Sequence, residues 1–116
     1  MAKRIKGKVL DRKKESREML LRNLTSSVLI YEKINTTEAK AKAVKPMVEK
    51  MITLAKKGDL AATKRLISKL PQKMAVKKLT EVLGERYKDR NGGYTRIIKL
   101  GTRSGDGARV VQLELV

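Results

Sequence analysis

The spacing of apolar residues follows a helical period for most of the chain and a two-residue period at its end. Leu20, Leu24, Val28 and Tyr31 recur at intervals of four, four and three. That is the repeat of a helix with one inward stripe. Asp11 is placed to cap this helix, which is predicted to run to about Tyr31. Arg22 falls on the opposite side. Arg17 lies in line with the stripe, a turn before it, where its stem can pack while its head stays wet. Lys33-Ile34-Asn35-Thr36 reads as a brief strand, and Thr37 as the N-cap of a second helix with Glu38 in its first turn. Ala41, Val44, Val48, Met51 and Ala55 carry that helix to about Lys57, and Gly58 stops it. Pro46 removes one backbone bond and crowds the carbonyl of Lys42, which predicts a kink. The stripe stays in phase across Pro46, so one helix is expected.

Asp59 is the predicted cap of a third helix through about Leu70, with Leu60, Thr63, Leu66, Ile67 and Leu70 inward. Pro71 opens a fourth that ends at Gly84, with Ala75, Leu79, Val82 and Leu83 on its apolar side. After the loop-like Asp89-Arg90-Asn91-Gly92-Gly93, two strands are predicted, Tyr94 to Leu100 and Arg109 to Val116. In the second, Val111, Leu113 and Leu115 alternate with Gln112 and Glu114. The glycine-rich stretch between them makes a hairpin with a long, mobile, basic tip. Helices are segregated from the hairpin, which predicts an α+β domain. It has about four helices and a small three-stranded sheet, the short strand near residue 34 joining the hairpin. Residues 1–10 show no apolar period and read as an extended basic arm that should be disordered alone. Residues 11–116 read as a single domain.

Charge changes the picture more than any other property. Twenty-nine Lys and Arg face twelve Asp and Glu, giving +17 on 116 residues. Self-repulsion at that density opposes folding, and a polyanionic partner supplies the countercharge. Nine of the basic residues fall within the first twenty-two positions. The chain contains no Cys and no His, so disulfides, thiolate metal sites and the commonest general base are absent. No pairing of acids and nucleophiles suggests catalysis, and no cofactor or small-molecule substrate is expected. Aliphatic residues dominate, with no Phe or Trp and three Tyr, so the core is expected to be aliphatic. The longest apolar run, Val28-Leu29-Ile30-Tyr31, is far short of a membrane span. The basic start is not followed by an apolar signal-peptide core. A cytoplasmic protein without a membrane partner is the expectation.

The strongest binding signal is the arm with the first helix: Lys3, Arg4, Lys6, Lys8, Arg12, Lys13, Arg17 and Arg22. Cations along an extended segment can follow phosphates into a groove, although such a segment can also be a solubilising tail. Thr36, Thr37 and Lys40 sit where a helix N-terminus exposes N–H groups that favour anions. In Asn91-Gly92-Gly93-Tyr94-Thr95-Arg96, Tyr94 offers a stacking face and Arg96 a planar donor on the same side of a strand. The alternative is that Tyr94 is a core residue. Arg103 would reach out from the hairpin tip. Gly105-Asp106-Gly107 fits no phosphate-binding fingerprint and reads as a turn. The basic faces of the later helices are ordinarily solvated surface.

Several segments together resemble one family, the bacterial large-subunit ribosomal protein seventeen. They are Met19-Leu20-Leu21-Arg22-Asn23-Leu24, Ile34-Asn35-Thr36-Thr37-Glu38-Ala39-Lys40-Ala41-Lys42, Ile52-Thr53-Leu54-Ala55-Lys56, Gly92-Gly93-Tyr94-Thr95-Arg96-Ile97 and Glu114-Leu115-Val116. The likeness runs from about Lys8 to Val116. Lys3-Arg4-Ile5-Lys6 and Glu15-Ser16-Arg17 stand where the family often carries histidine, so charge is kept there but imidazole contacts are not. The resemblance implies a structural, non-catalytic protein of the large ribosomal subunit with an α+β fold. It further implies contact with large-subunit ribosomal RNA near the polypeptide exit region and with neighbouring large-subunit proteins. From the residues alone, a nucleoid-type DNA-binding protein and a small enzyme acting on nucleic acid are the competing classes.

Overall fold

The computed structural model describes residues 14–116, with side chains from Glu15 onward. The arm at 1–10 and the Asp11 cap lie outside the described residues. The order is α1 (Lys14–Tyr31), β1 (Lys33–Thr37), α2 (Glu38–Lys57), α3 (Leu60–Lys69), α4 (Lys73–Lys78), a π-helical turn (Leu79–Leu83), α5 (Gly84–Arg86), β2 (Thr95–Thr102) and β3 (Arg109–Leu115). The stretch from α4 to α5 is one continuous helical rod, so the architecture is four helices and a small sheet, as the periodicities require. The sheet is antiparallel in the order β1-β3-β2. The short strand β1 thus pairs with β3, opposite Leu113 at Ile34, and completes a sheet that two strands could not stabilise alone.

The longest helix behaves as its sequence demands. Thr37 accepts from the backbone N–H of Lys40 at 3.4 Å, and Gly58 adopts a left-handed conformation (φ 67°) that ends α2. Ala41, Val44, Val48, Met51 and Ala55 are all buried, together with Ile52, and the helix continues through Pro46. The inner face of the sheet, built by Val111, Leu113 and Leu115, packs on this helix.

Four expectations are corrected. In α1 the buried face is Arg17, Thr25, Ser26, Val28 and Leu29, whereas Tyr31 is 70% exposed. The helix outruns the core by its last residue. In α3 the inward residues are Ala62, Leu66 and Leu70, and Leu60 and Ile67 face outward. Ala62 has too little side chain to announce itself as a core position, yet it lets α3 lie close to α2. In the last helical rod, Val82 is exposed and Gly84 is buried within the helix rather than at its stop. Ala75, Leu79 and Leu83 are buried as expected, and the extra residue of the π-helical turn keeps the last two in line while Val82 turns outward. A Cβ on Gly84 would lie 3.2 Å from both the Ala55 and Leu79 carbonyl oxygens, so this glycine allows the rod to touch α2. Finally, the core is not purely aliphatic. Tyr87 and Tyr94 are buried with ring centroids 5.3 Å apart, and the Tyr87 hydroxyl donates to the Val116 carbonyl at 2.6 Å.

The junction from α1 to β1 was not legible in the sequence. Glu32 takes a left-handed conformation (φ 67°), a strained state for a residue other than glycine. Its carboxylate receives Arg86 Nη1 and Nη2 and Lys78 Nζ, while its carbonyl accepts from the Leu115 N–H. These bonds tie the turn to the last helical rod and to β3. The Arg86 and Lys78 hydrogen bonds hold the Glu32 carboxyl down at about 2.

Candidate nucleic-acid interface

The structure sorts the charges into those used inside the protein and those left to face outward. Many of the carboxylates are committed to the protein itself. Glu38 meets Lys42 at 2.9 Å, with Arg109 Nη1 at 4.0 Å. Its carboxyl lies below the ordinary value, chiefly because of the Lys42 hydrogen bond. Glu49 accepts from the N–H groups of Tyr94 and Thr95 at 3.2 and 2.9 Å and from the Thr95 hydroxyl at 2.6 Å. Asp59 caps α3 by accepting from the Ala62 N–H at 2.7 Å. Glu114 accepts from Gln112 at 3.0 Å and from Arg96 at 3.3 Å, and both lower its carboxyl. The basic residues that lack such partners dominate the outer surface.

Of the candidate phosphate ligands, Lys3, Arg4, Lys6, Lys8, Arg12 and Lys13 lie outside the described residues. Arg17 is buried at 8% exposure in the crevice where α1 meets Lys42, Ala43 and Pro46, so its head is not wet. Arg22 is half-buried. Thr37 spends its hydroxyl on the cap, and Glu38 supplies the negative group in the first turn of α2. This start of a helix is therefore already electrostatically complemented. Lys40 is half-buried at the same end and has no ion pair among the described residues.

Tyr94 is the clearest correction. Its ring is 2% exposed and lies just before β2, so it offers no face for stacking. Its hydroxyl donates to the Arg90 carbonyl at 3.3 Å and accepts from Lys56 Nζ at 3.0 Å and the Thr53 hydroxyl at 3.4 Å. Burial pushes the phenol up, but the Lys56 and Thr53 bonds and the Lys56 charge outweigh it and leave the group below its ordinary value. Lys56 Nζ also donates to the Arg90 carbonyl. Glycines 92 and 93, both at positive φ, thus serve to turn the backbone onto a buried tyrosine anchor.

Arg96 does project outward, its side chain 60% exposed while it pairs with Glu114 across the strands. Arg103 is exposed but clamped to Asp106, Nε to Oδ1 at 3.1 Å, and Asp106 also accepts from the Ala108 N–H at 3.1 Å. The Asp106 carboxyl is lowered to about 2, mainly by Arg103. The Arg103 N–H donates to the Ala108 carbonyl at 2.7 Å, and the Gly107 N–H donates back to the Arg103 carbonyl at 3.0 Å. The tip is therefore a closed, hydrogen-bonded turn.

The structure also brings together basic residues that the sequence left as ordinary solvated surface. Lys50, Lys57, Arg65 and Lys69 line one groove between α2 and α3. Their grouping depends on the two-residue junction Gly58-Asp59, which folds α3 back along α2; a shared helical period within each segment was the only trace in the sequence.

Among the described residues there is no group of three or more acidic residues arranged to hold a metal ion, and no helix is long and apolar enough to cross a membrane. Residues 20–116 match the family model described as ribosomal protein L17. A protein of a Hydrogenobaculum species named "Large ribosomal subunit protein bL17" is 49% identical over 117 residues, covering 100% of this chain and 99% of the relative. A protein of the same name from Natranaerobius thermophilus is 52% identical over 109 residues, covering 94% and 96%. Another from Hyphomonas neptunium is 46% identical and covers 100% of this chain and 83% of the relative. The matches run through the helices and the hairpin alike, at an identity far above that of shared architecture alone, and the chain belongs to the ribosomal protein L17 family.

Proposed function

We propose that this protein binds and stabilises large-subunit ribosomal RNA near the polypeptide exit region, in contact with neighbouring large-subunit proteins. Membership of the family makes it a structural constituent of the large ribosomal subunit rather than an enzyme. The observation that carries the RNA reading is the division of charge. Internal carboxylates are committed to caps, turns and ion pairs, and the net +17 is left to meet a polyanion. A-form RNA hides its base edges, so phosphate and shape recognition dominate such contacts. In this reading the arm residues Lys3, Arg4, Lys6 and Lys8 enter the RNA, Arg12, Lys13 and Arg22 continue the track, and Lys40 and Arg96 add contacts from the domain.

The test is salt-dependent binding of the full chain to large-subunit ribosomal RNA, with duplex DNA as competitor. Removing residues 1–10 deletes up to about four phosphate contacts, each lowering the slope of log affinity against log salt by roughly 0.7–0.9. An unchanged slope in a folded truncation contradicts the role of the arm. Preference for duplex DNA contradicts the ribosomal reading and favours a nucleoid-type protein.

A further inference from the structure

A second basic surface lies away from the start of α2. Gly58 ends α2 in a left-handed turn, and Asp59 immediately caps α3, so the two helices are antiparallel neighbours with a two-residue junction. Between them runs an open groove of about 370 Å³ with Met51 and Leu54 in its floor and Lys50, Lys57, Arg65 and Lys69 along its walls. All four cations are exposed, and none has an ion pair among the described residues. Glu49 also borders the groove, but both its oxygens are occupied by Tyr94 and Thr95.

The sequence around the groove is depleted of compensating acid. Glu49 and Asp59 are the two acidic residues from Ala39 to Thr80, against twelve Lys and Arg, and Asp59 is engaged in capping α3. Lys50 and Lys57 lie two helical turns apart, about 10 Å along the axis, and Arg65 and Lys69 one turn apart, about 6 Å. Cations from both helices at that spacing can meet consecutive phosphates of one nucleic-acid strand. The 20-residue α2 places this groove at the opposite end from Thr37, about 25–30 Å from the helix start to Lys57.

We propose that the α2–α3 groove is a phosphate-backbone site for large-subunit ribosomal RNA, held by Lys50, Lys57, Arg65 and Lys69. It rests on the reading that the protein binds ribosomal RNA.

The test compares two full-length variants carrying equal charge loss, Lys50→Gln/Lys57→Gln/Arg65→Gln/Lys69→Gln in the groove and Lys33→Gln/Lys64→Gln/Lys73→Gln/Lys77→Gln outside it. Melting of each is recorded first, and the pair Lys50→Gln/Lys69→Gln replaces the groove variant if that variant is unfolded. The probe is large-subunit ribosomal RNA titrated at several salt concentrations. The groove variant should lose about three units of salt slope, at roughly 0.7–0.9 per contact, and the outer variant clearly less. Equal losses in the two variants overturn the groove assignment. A wild-type slope in the groove variant, combined with its loss from large subunits, overturns it in favour of a protein contact. Failure of the wild type to bind the RNA overturns the underlying functional reading instead.

Discussion

Tyr94 separates a core residue from a contact residue. Its ring is fully enclosed against Tyr87, and its hydroxyl is satisfied by Arg90, Thr53 and Lys56. Truncating a buried aromatic residue to Ala costs about 3–5 kcal/mol. Tyr94→Phe keeps the ring and loses only the hydroxyl network, at about 1–2 kcal/mol. At about 4 °C per kcal/mol for a domain near this size, Tyr94→Ala should lower Tm by about 12–20 °C and Tyr94→Phe by about 4–8 °C. Thermal melts and RNA affinity are measured on the same preparations, with affinity corrected to the folded fraction. Corrected affinity should stay within about twofold of wild type in both variants, because no ring face is available to a base. A stacking role would instead cost about 1–3 kcal/mol of affinity in the Ala variant. A Tyr94→Ala protein that melts like wild type but binds RNA tenfold more weakly refutes the burial argument.

Two further predictions concern the frame of the domain. Because Arg86 and Lys78 hold Glu32 at about 2 against an ordinary 4.5, its contribution is full above pH 4.5 and fades as pH falls toward 2. With its side chain 36% exposed, that contribution is about 1 kcal/mol after solvent screening. Urea melts should show the gap between wild type and Glu32→Gln narrowing from pH 6 to pH 2, and a constant gap contradicts the linkage. Gly84→Ala gains about 1 kcal/mol of helix propensity but forces a methyl group against two carbonyl oxygens. Overpacking of about 1–3 kcal/mol should leave the variant less stable by urea denaturation, and a stabilised variant shows that the rod can shift away from α2.

The reading of α2 succeeded because twenty residues with a wet face and a dry face leave little ambiguity, and Thr37 and Gly58 mark its ends by local chemistry. The strand alternation in β3 was legible for the same reason, since it occupies the centre of the sheet with one face on the helices. Short elements were less readable. In α3, Leu60 and Ile67 satisfy the helical period as well as Ala62 and Leu66 do, and only docking against α2 chooses between the two faces. The π-helical turn at Leu79–Leu83 changes the phase without any residue that announces it. Surroundings of the candidate site residues were hidden for a related reason, because a charge or ring is free only if the fold leaves it so. Arg96 meets Glu114 through a strand register, and Tyr94 is enclosed by residues some forty positions away. Arg103 and Asp106, three residues apart, were the exception in which the pairing lay within reach of the sequence.

The most direct test of the central claim is sedimentation of a cell lysate with this protein tracked through the gradient after a moderate salt wash. A structural constituent anchored on ribosomal RNA co-migrates with large subunits and leaves them only as salt is raised far enough to displace its phosphate contacts. Recovery with the nucleoid, or release from large subunits already at low salt, contradicts the account.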